Sequence, residues 1–199
     1  MIAAMPTTAT TIATPPLSAG VLAGGAGLRL GGADKGLLTF RGRPLIDWVL
    51  AALRPQSVEQ LISANRHPER YAAYGLPVLA DRGGQGPLAG LAALLAAARQ
   101  DWLLCVPCDS PELPAELGAR LYAAALAAGA PAAYLHDDLG PHPTFCLVRS
   151  ALAASAQAAA EQQQGLVAWL NAQGAARLRA PAPVNLNTAE DFAAAEARP

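Results

Sequence analysis

Charge is scarce in this chain, and lysine is scarcer still. Only 15% of its 199 residues are Asp, Glu, Lys or Arg, and the formal net charge is −1. That balance excludes a protein that grips nucleic acid by bulk positive charge. No apolar run reaches the ~18 residues needed to cross a bilayer, so no membrane partner is expected. No basic residue precedes Arg29, so the charged start of a secretory signal is missing. The Thr-, Ala- and Pro-rich opening suggests instead a disordered extension over residues 1–17, with Met5 an equally good start. Three cysteines, Cys105, Cys108 and Cys146, leave an odd thiol if any pair forms. That suits a reducing, cytoplasmic setting. Among 14 cationic residues a single one, Lys35, is lysine. Apolar residues are abundant: 53% hydrophobic content at this length supports one domain with a real core, placed at residues 18–199.

The lone lysine closes the most distinctive stretch, Val21-Leu22-Ala23-Gly24-Gly25-Ala26-Gly27-Leu28-Arg29-Leu30-Gly31-Gly32-Ala33-Asp34-Lys35-Gly36. A short apolar strand leads into five glycines within nine residues and two cations. Glycines, lacking Cβ, let backbone N–H groups turn inward and approach a polyanion closely. Arg29 offers a planar fork for phosphate oxygens and Lys35 a compact positive charge. The combination is a phosphate cradle. It is not a Walker loop, because no Gly-Lys-Ser/Thr follows. The dinucleotide spacing Gly-x-Gly-x-x-Gly also fails: counted from Gly25 and Gly27, its third glycine falls on Leu30.

Strand and helix patterns alternate along the chain. Strands are predicted near residues 19–23, 58–64, 76–80, 102–106, 132–135 and 144–148, with a last edge strand at 175–178. Helices are predicted from Pro44 to Pro55 and near 68–74, 88–98, 115–128, 150–161 and 166–173. Residues 136–143 read as a polar turn. A closing helix follows Asn187, with Thr188 and Asp191 placed as a capping pair. This alternation implies an α/β sandwich with a mainly parallel sheet; the architecture expected is a three-layer sandwich around a Rossmann-like nucleotide-binding sheet. Ligands of such sheets bind beyond the carboxyl ends of the strands. The glycine loop, Asn65, Asp81 and Asp109 all follow strand ends, so the topology collects them along one edge.

Asp109 follows a strand that is apolar throughout. One carboxylate plus substrate phosphates is a common way to hold Mg²⁺; a helix-capping Asp before Pro111 is the plainer reading. Asp81 could accept hydrogen bonds from the N1–H and 2-amino edge of guanine, bind ribose hydroxyls, or serve a turn before Gly83. Asn65 has the same ambiguity. Cys105 and Cys108 spell Cys-x-x-Cys, but Cys105 falls inside a strand rather than at a helix start, where a reactive thiolate is stabilised. His67, His136 and His142 show no metal-ligand spacing, although the last two flank a turn that could face substrate.

The run Leu22-Ala23-Gly24-Gly25 through Arg29, with Gly31-Gly32-Ala33-Asp34-Lys35-Gly36, resembles the nucleotidyltransferase superfamily and is similar to molybdenum cofactor guanylyltransferases in particular. Ala64-Asn65-Arg66-His67, Gly86-Pro87-Leu88-Ala89-Gly90, the Cys105 to Pro111 run, His142-Pro143-Thr144 and Val184-Asn185-Leu186-Asn187-Thr188 extend the likeness to about residues 19–196. The resemblance implies an enzyme transferring GMP from GTP to molybdenum-bound molybdopterin, with Mg²⁺ as cofactor; a monomer is expected. It further implies cofactor-synthesis and recipient molybdoenzymes as partners. It assigns GTP contacts to Leu22, Ala23, Gly24, Gly25, Lys35, Asn65, Asp81 and Asp109, and metal binding to Asp109. Lys35, Arg29 and Asp109 are the expected catalytic set, and Asn185, Asn187 and His142 the pterin side. Gln162, Gln163 and Gln164 depart from the pattern, standing where related chains carry Arg or Lys. A cytidylyltransferase for the same pterin and a non-catalytic nucleotide-binding module are the alternatives.

Overall fold

A computed structural model describes residues 13–23, 26–27, 33–81, 84 and 86–197. Gly24, Gly25 and Arg29 of the glycine loop lie outside the described residues, as does the first part of the predicted extension. Leu17, counted with that extension, buries its side chain in the core, and its carbonyl accepts from Val58 N–H at 3.0 Å.

Seven strands form the central sheet. They are β1 (Ser18–Leu22), β2 (Glu59–Ser63), β3 (Val78–Leu79), β4 (Trp102–Pro107), β5 (Ala132–Asp137), β6 (Gly140–Arg149) and β7 (Ala176–Arg179). Their spatial order is β7-β5-β6-β4-β1-β2-β3. β1 pairs in parallel with both β2 and β4, β2 with β3, and β5 with β7. β6 is antiparallel to both its neighbours, β4 and β5. The sheet is therefore mainly parallel, as the alternation of elements requires. β6 can run the other way because a tight hairpin joins it to β5. The predicted polar turn at 136–143 is shorter than expected for the same reason: β5 extends to Asp137 and β6 already starts at Gly140.

Helices cover both faces. α1 (Leu45–Leu53), α2 (Pro68–Ala72) and α4 (Leu117–Ala127) share a buried cluster with Val21, Leu104, Val106 and Leu147. α3 (Pro87–Ala97), α5 (Ala153–Glu161) and α6 (Leu166–Ala172) enclose a second cluster with Leu61, Leu103, Cys105 and Val148. Successive residues of β4 thus point to opposite cores, which is why the strand reads as a continuous apolar run. Cys105 lies in β4 opposite Cys146 of β6; both thiols are buried and free.

The chain closes with α7 (Ala189–Glu196). The predicted capping pair is present: Asp191 N–H donates to Thr188 Oγ1 at 3.2 Å, and the Asp191 carboxylate accepts from Thr188 N–H at 2.8 Å. Phe192 and Ala195 pack with Phe40, Trp48 and Leu186 in a satellite core, and Arg41 Nη2 donates to Ala195 O at 2.8 Å. The segment before α7 is thereby strapped back across the sheet edge.

Candidate active site

The carboxyl end of β1 is the meeting point. Ala23 N–H donates to Ser63 O at 2.8 Å on the β2 side, and Leu22 O accepts from Cys108 N–H at 3.0 Å on the β4 side. Two clusters of polar side chains flank this strand end.

On the β4 side, Lys35 opens a short 3₁₀ turn, Lys35–Leu37, directly after the glycine loop. Its Nζ lies 3.3 Å from Asp109 Oδ2 and also donates to Asn187 Oδ1. The strap residues bond to the loop after β4 twice directly and once through Lys35. Ser110 Oγ donates to Asn185 Oδ1 at 2.5 Å, Leu186 N–H to Asp109 O at 2.8 Å, and Lys35 links Asn187 to Asp109. Asp109 is nearly buried, and its second oxygen, Oδ1, has no hydrogen-bond partner among the described residues. Burial pushes the Asp109 carboxyl up from its ordinary value, opposed by the Lys35 ammonium beside it. A buried, unpartnered carboxylate oxygen is costly unless something occupies it.

The donor set fits one hard divalent cation. Among the described residues no group of three or more His, Cys, Asp or Glu side chains could form an all-protein cage. Mg²⁺ needs none, since it is commonly held by one carboxylate, waters and substrate phosphates. Asp109 Oδ1 is an oxygen donor of that kind.

On the β2 side, Asp81 follows β3. Its N–H donates to Asn65 Oδ1 at 2.8 Å. A backbone N–H can only donate, so the Asn65 amide oxygen faces Asp81 and its Nδ2 points away, with no hydrogen-bond partner among the described residues. Ser63 Oγ donates to Asp81 Oδ1 at 2.8 Å.

Sequence reasoning thus found both clusters, and the structure brings Lys35, Asp109 and Asn187 into contact, as it does Asn65 and Asp81. His142 stands apart on β6, with Nε2 2.9 Å from Asp137 Oδ2. Leu22 and Ala23 lie at the β1 end, where Leu22 O and Ala23 N–H bond to Cys108 and Ser63. Ser63 and Ser110 were missed, as was a buried pair behind Lys35: Tyr71 Oη donates to Asp34 Oδ1 at 2.5 Å. Asp34 and Ser110 lie in runs quoted above, but no local pattern gives any of these residues its partner, because the partners are distant in sequence.

The MobA-like NTP transferase domain matches residues 19–178. The chain belongs to that family. Among its curated relatives is the molybdenum cofactor guanylyltransferase of Pasteurella multocida (strain Pm70), 44% identical over 165 residues, which are 81% of this chain and 87% of that protein. The protein of the same name from Cereibacter sphaeroides is 44% identical over 185 residues, covering 88% and 93%. Among solved structures, molybdopterin-guanine dinucleotide biosynthesis protein A from Archaeoglobus fulgidus has the same fold. It superposes with a TM-score of 0.74 at 23% identity, over 90% of this chain and 96% of that one. The family match ends at the close of the sheet, before Asn185 and Asn187. The strap that these residues form therefore lies outside the matched domain.

Proposed function

We infer that this chain is a molybdenum cofactor guanylyltransferase. It transfers GMP from GTP to the terminal phosphate of molybdenum-bound molybdopterin and releases pyrophosphate. The observation that carries the reading is the pairing of two clusters at one sheet edge. Lys35 and Asp109 meet on one side of the β1 end, and Asn65 and Asp81 meet on the other. The first suits a triphosphate and the second suits a base.

The Asp81 carboxylate accepts from the N1–H and 2-amino group of guanine, while Asn65 Nδ2 donates to an acceptor such as the 6-oxo group. Adenine and cytosine present an acceptor where guanine presents N1–H, so a fixed carboxylate repels them. This favours GTP over the CTP of the cytidylyl alternative. Lys35 has three N–H donors; among the described residues two are engaged, by Asp109 and Asn187, leaving one for a phosphate oxygen. Arg29 would add its fork from the glycine loop, where Gly24 and Gly25 offer backbone N–H groups. Asn185, Asn187 and His142 are assigned to the acceptor side.

Asp109 is the residue that would hold Mg²⁺, which when bound supplies charge neutralisation on the triphosphate. The remaining chemistry is alignment. An oxygen of the acceptor phosphate attacks the α-phosphorus, and the bond from that phosphorus to the bridging oxygen of the β-phosphate breaks. Both phosphates are already anionic at pH 7, so no dedicated base is required. Lys35 offsets charge on the leaving pyrophosphate, and the strap keeps Asn187 beside it.

The setting we assign is cytoplasmic, with cofactor-synthesis enzymes supplying the acceptor and recipient molybdoenzymes taking up the product. Among the described residues no helix is long and apolar enough to cross a membrane. The deciding experiment is pyrophosphate release with GTP, CTP, ATP and UTP, each with and without molybdenum-loaded molybdopterin. Release only with GTP and acceptor together supports the reading. Release with CTP in preference would replace it.

A further inference from the structure

Ser63 ends β2 inside the sheet, with its side chain almost wholly buried. Its hydroxyl donates to Asp81 Oδ1 at 2.8 Å. The start of α3 closes over this contact: a Cβ at Gly90 would lie 2.8 Å from Ser63 Oγ, 2.7 Å from Leu22 Cδ2 and 3.5 Å from Asp81 Oδ1. Only the absence of that Cβ lets the helix backbone wall in the hydroxyl. Asp81 is therefore held at two points, through its N–H by Asn65 and through its carboxylate by Ser63.

We propose that Ser63 is a positioning residue that sets guanine specificity, by locking the plane of the Asp81 carboxylate at the angle that reads the 2-amino and N1–H edge. The inference rests on the guanylyl reading above. A carboxylate on a short side chain rotates freely about its last bond unless one oxygen is held. Bidentate recognition needs both oxygens in the plane of the base, so a free rotor spends part of its binding energy on ordering. A charge-assisted hydrogen bond to one oxygen removes that freedom beforehand, and the held oxygen keeps a second lone pair for the base. Ser63 touches no nucleotide; it acts through Asp81.

The test compares GTP with ITP, which lacks only the 2-amino group. Wild-type protein is expected to bind GTP about tenfold or more tightly than ITP, ~1.4 kcal/mol. Ser63→Ala is expected to reduce that ratio to about twofold, with the change in KM for GTP and not in kcat. Ser63→Cys fills the space but donates weakly, and should fall between. In an Asp81→Ala background the Ser63 change should have no further effect on the ratio, because the hydroxyl works only through the carboxylate. A Ser63→Ala protein that keeps the wild-type ratio and merely melts earlier would overturn the proposal, leaving the hydroxyl a structural group. A wild-type protein that binds GTP and ITP alike would instead overturn the guanine reading itself, and this inference with it.

Discussion

Lys35 and Asp109, 74 positions apart in sequence, meet with Nζ 3.3 Å from Oδ2, and the contact leaves Asp109 Oδ1 buried without a partner among the described residues. One oxygen of the carboxylate is thus engaged by the Lys35 ammonium while the other is left for a ligand. A bare helix cap would not need that arrangement, and Asp109 caps no helix: α4 starts eight residues later.

The point charge of Lys35 should matter as much as its sign. The chain uses arginine at every other cationic position, so Lys35→Arg tests the distinction directly. A guanidinium is larger and planar and cannot occupy the space between Asp109 and Asn187 in the same way. Turnover is expected to fall at least about tenfold, ~1.4 kcal/mol of transition-state stabilisation, with the fold intact by circular dichroism. Full activity in Lys35→Arg would show that only net charge counts there.

Behind Lys35, Tyr71 donates to Asp34, and both side chains are buried. Gly36 makes room for the pair, since a Cβ there would sit 2.6 Å from Tyr71 Oη. Tyr71→Phe removes the donor and leaves a buried carboxylate oxygen bare, which should cost about 2 kcal/mol in urea unfolding. A loss below about half a kcal/mol would mean that Asp34 finds another partner.

Much of this architecture was legible in the sequence. Each strand and helix of the main sheet and its covering layers falls within a few residues of its expected place, because burial on both faces imposes long apolar runs on β4 and helical spacing on α1. The sheet edge that gathers Lys35, Asn65, Asp81 and Asp109 followed from topology alone. The hydrogen bonds that hold these residues in place did not. Ser63 to Asp81 spans 18 positions, Tyr71 to Asp34 spans 37, and Lys35 to Asn187 spans 152. A local pattern carries no trace of such pairs, which exist only after the layers pack. The β5–β6 hairpin was misjudged for a related reason. His142 and Pro143 look like turn residues, yet cross-strand pairing with Leu135 draws His142 into the ladder.

The glutamine run also acquires a physical role. Gln163 adopts a left-handed conformation, φ 57°, just past the end of α5. Its N–H bonds to Ala160 O at 2.9 Å and that of Gln164 to Ala159 O at 2.9 Å, a helix C-terminal capping pattern. Glycine adopts this conformation without the Cβ penalty, so Gln163→Gly should raise stability by about 1 kcal/mol. A neutral or destabilising effect would mean that the side chain has a role the backbone does not show.

At the opposite end of the sheet, Glu59 accepts from Ser18 Oγ at 2.5 Å, Arg99 N–H at 2.9 Å and Arg99 Nε at 2.5 Å. Burial alone would push its carboxyl up, but the Ser18 and Arg99 hydrogen bonds and the Arg99 charge together hold it below its ordinary value. A carboxylate depressed in the folded state adds stability above its unfolded value, and that stability is lost as pH falls through the folded one. Glu59→Gln should therefore be less stable than wild type at neutral pH, with the gap closing in acid. Parallel stability curves for the two proteins from pH 7 down to pH 3 would contradict this.

The central claim is that Asp109 holds the metal. Asparagine keeps its shape and loses its charge. Burial holds the Asp109 carboxyl above its ordinary value, so ionising it costs the folded state; that cost is absent in acid and grows as pH rises through the shifted value. Asp109→Asn carries no such cost, so its ligand-free melting temperature should match or exceed that of wild type. The measurement is guanylyl transfer as a function of Mg²⁺ concentration for both proteins. The expected result is turnover lower by about a hundred-fold or more, ~3 kcal/mol, in a variant that is at least as stable. Wild-type turnover from Asp109→Asn at ordinary Mg²⁺ would contradict the account.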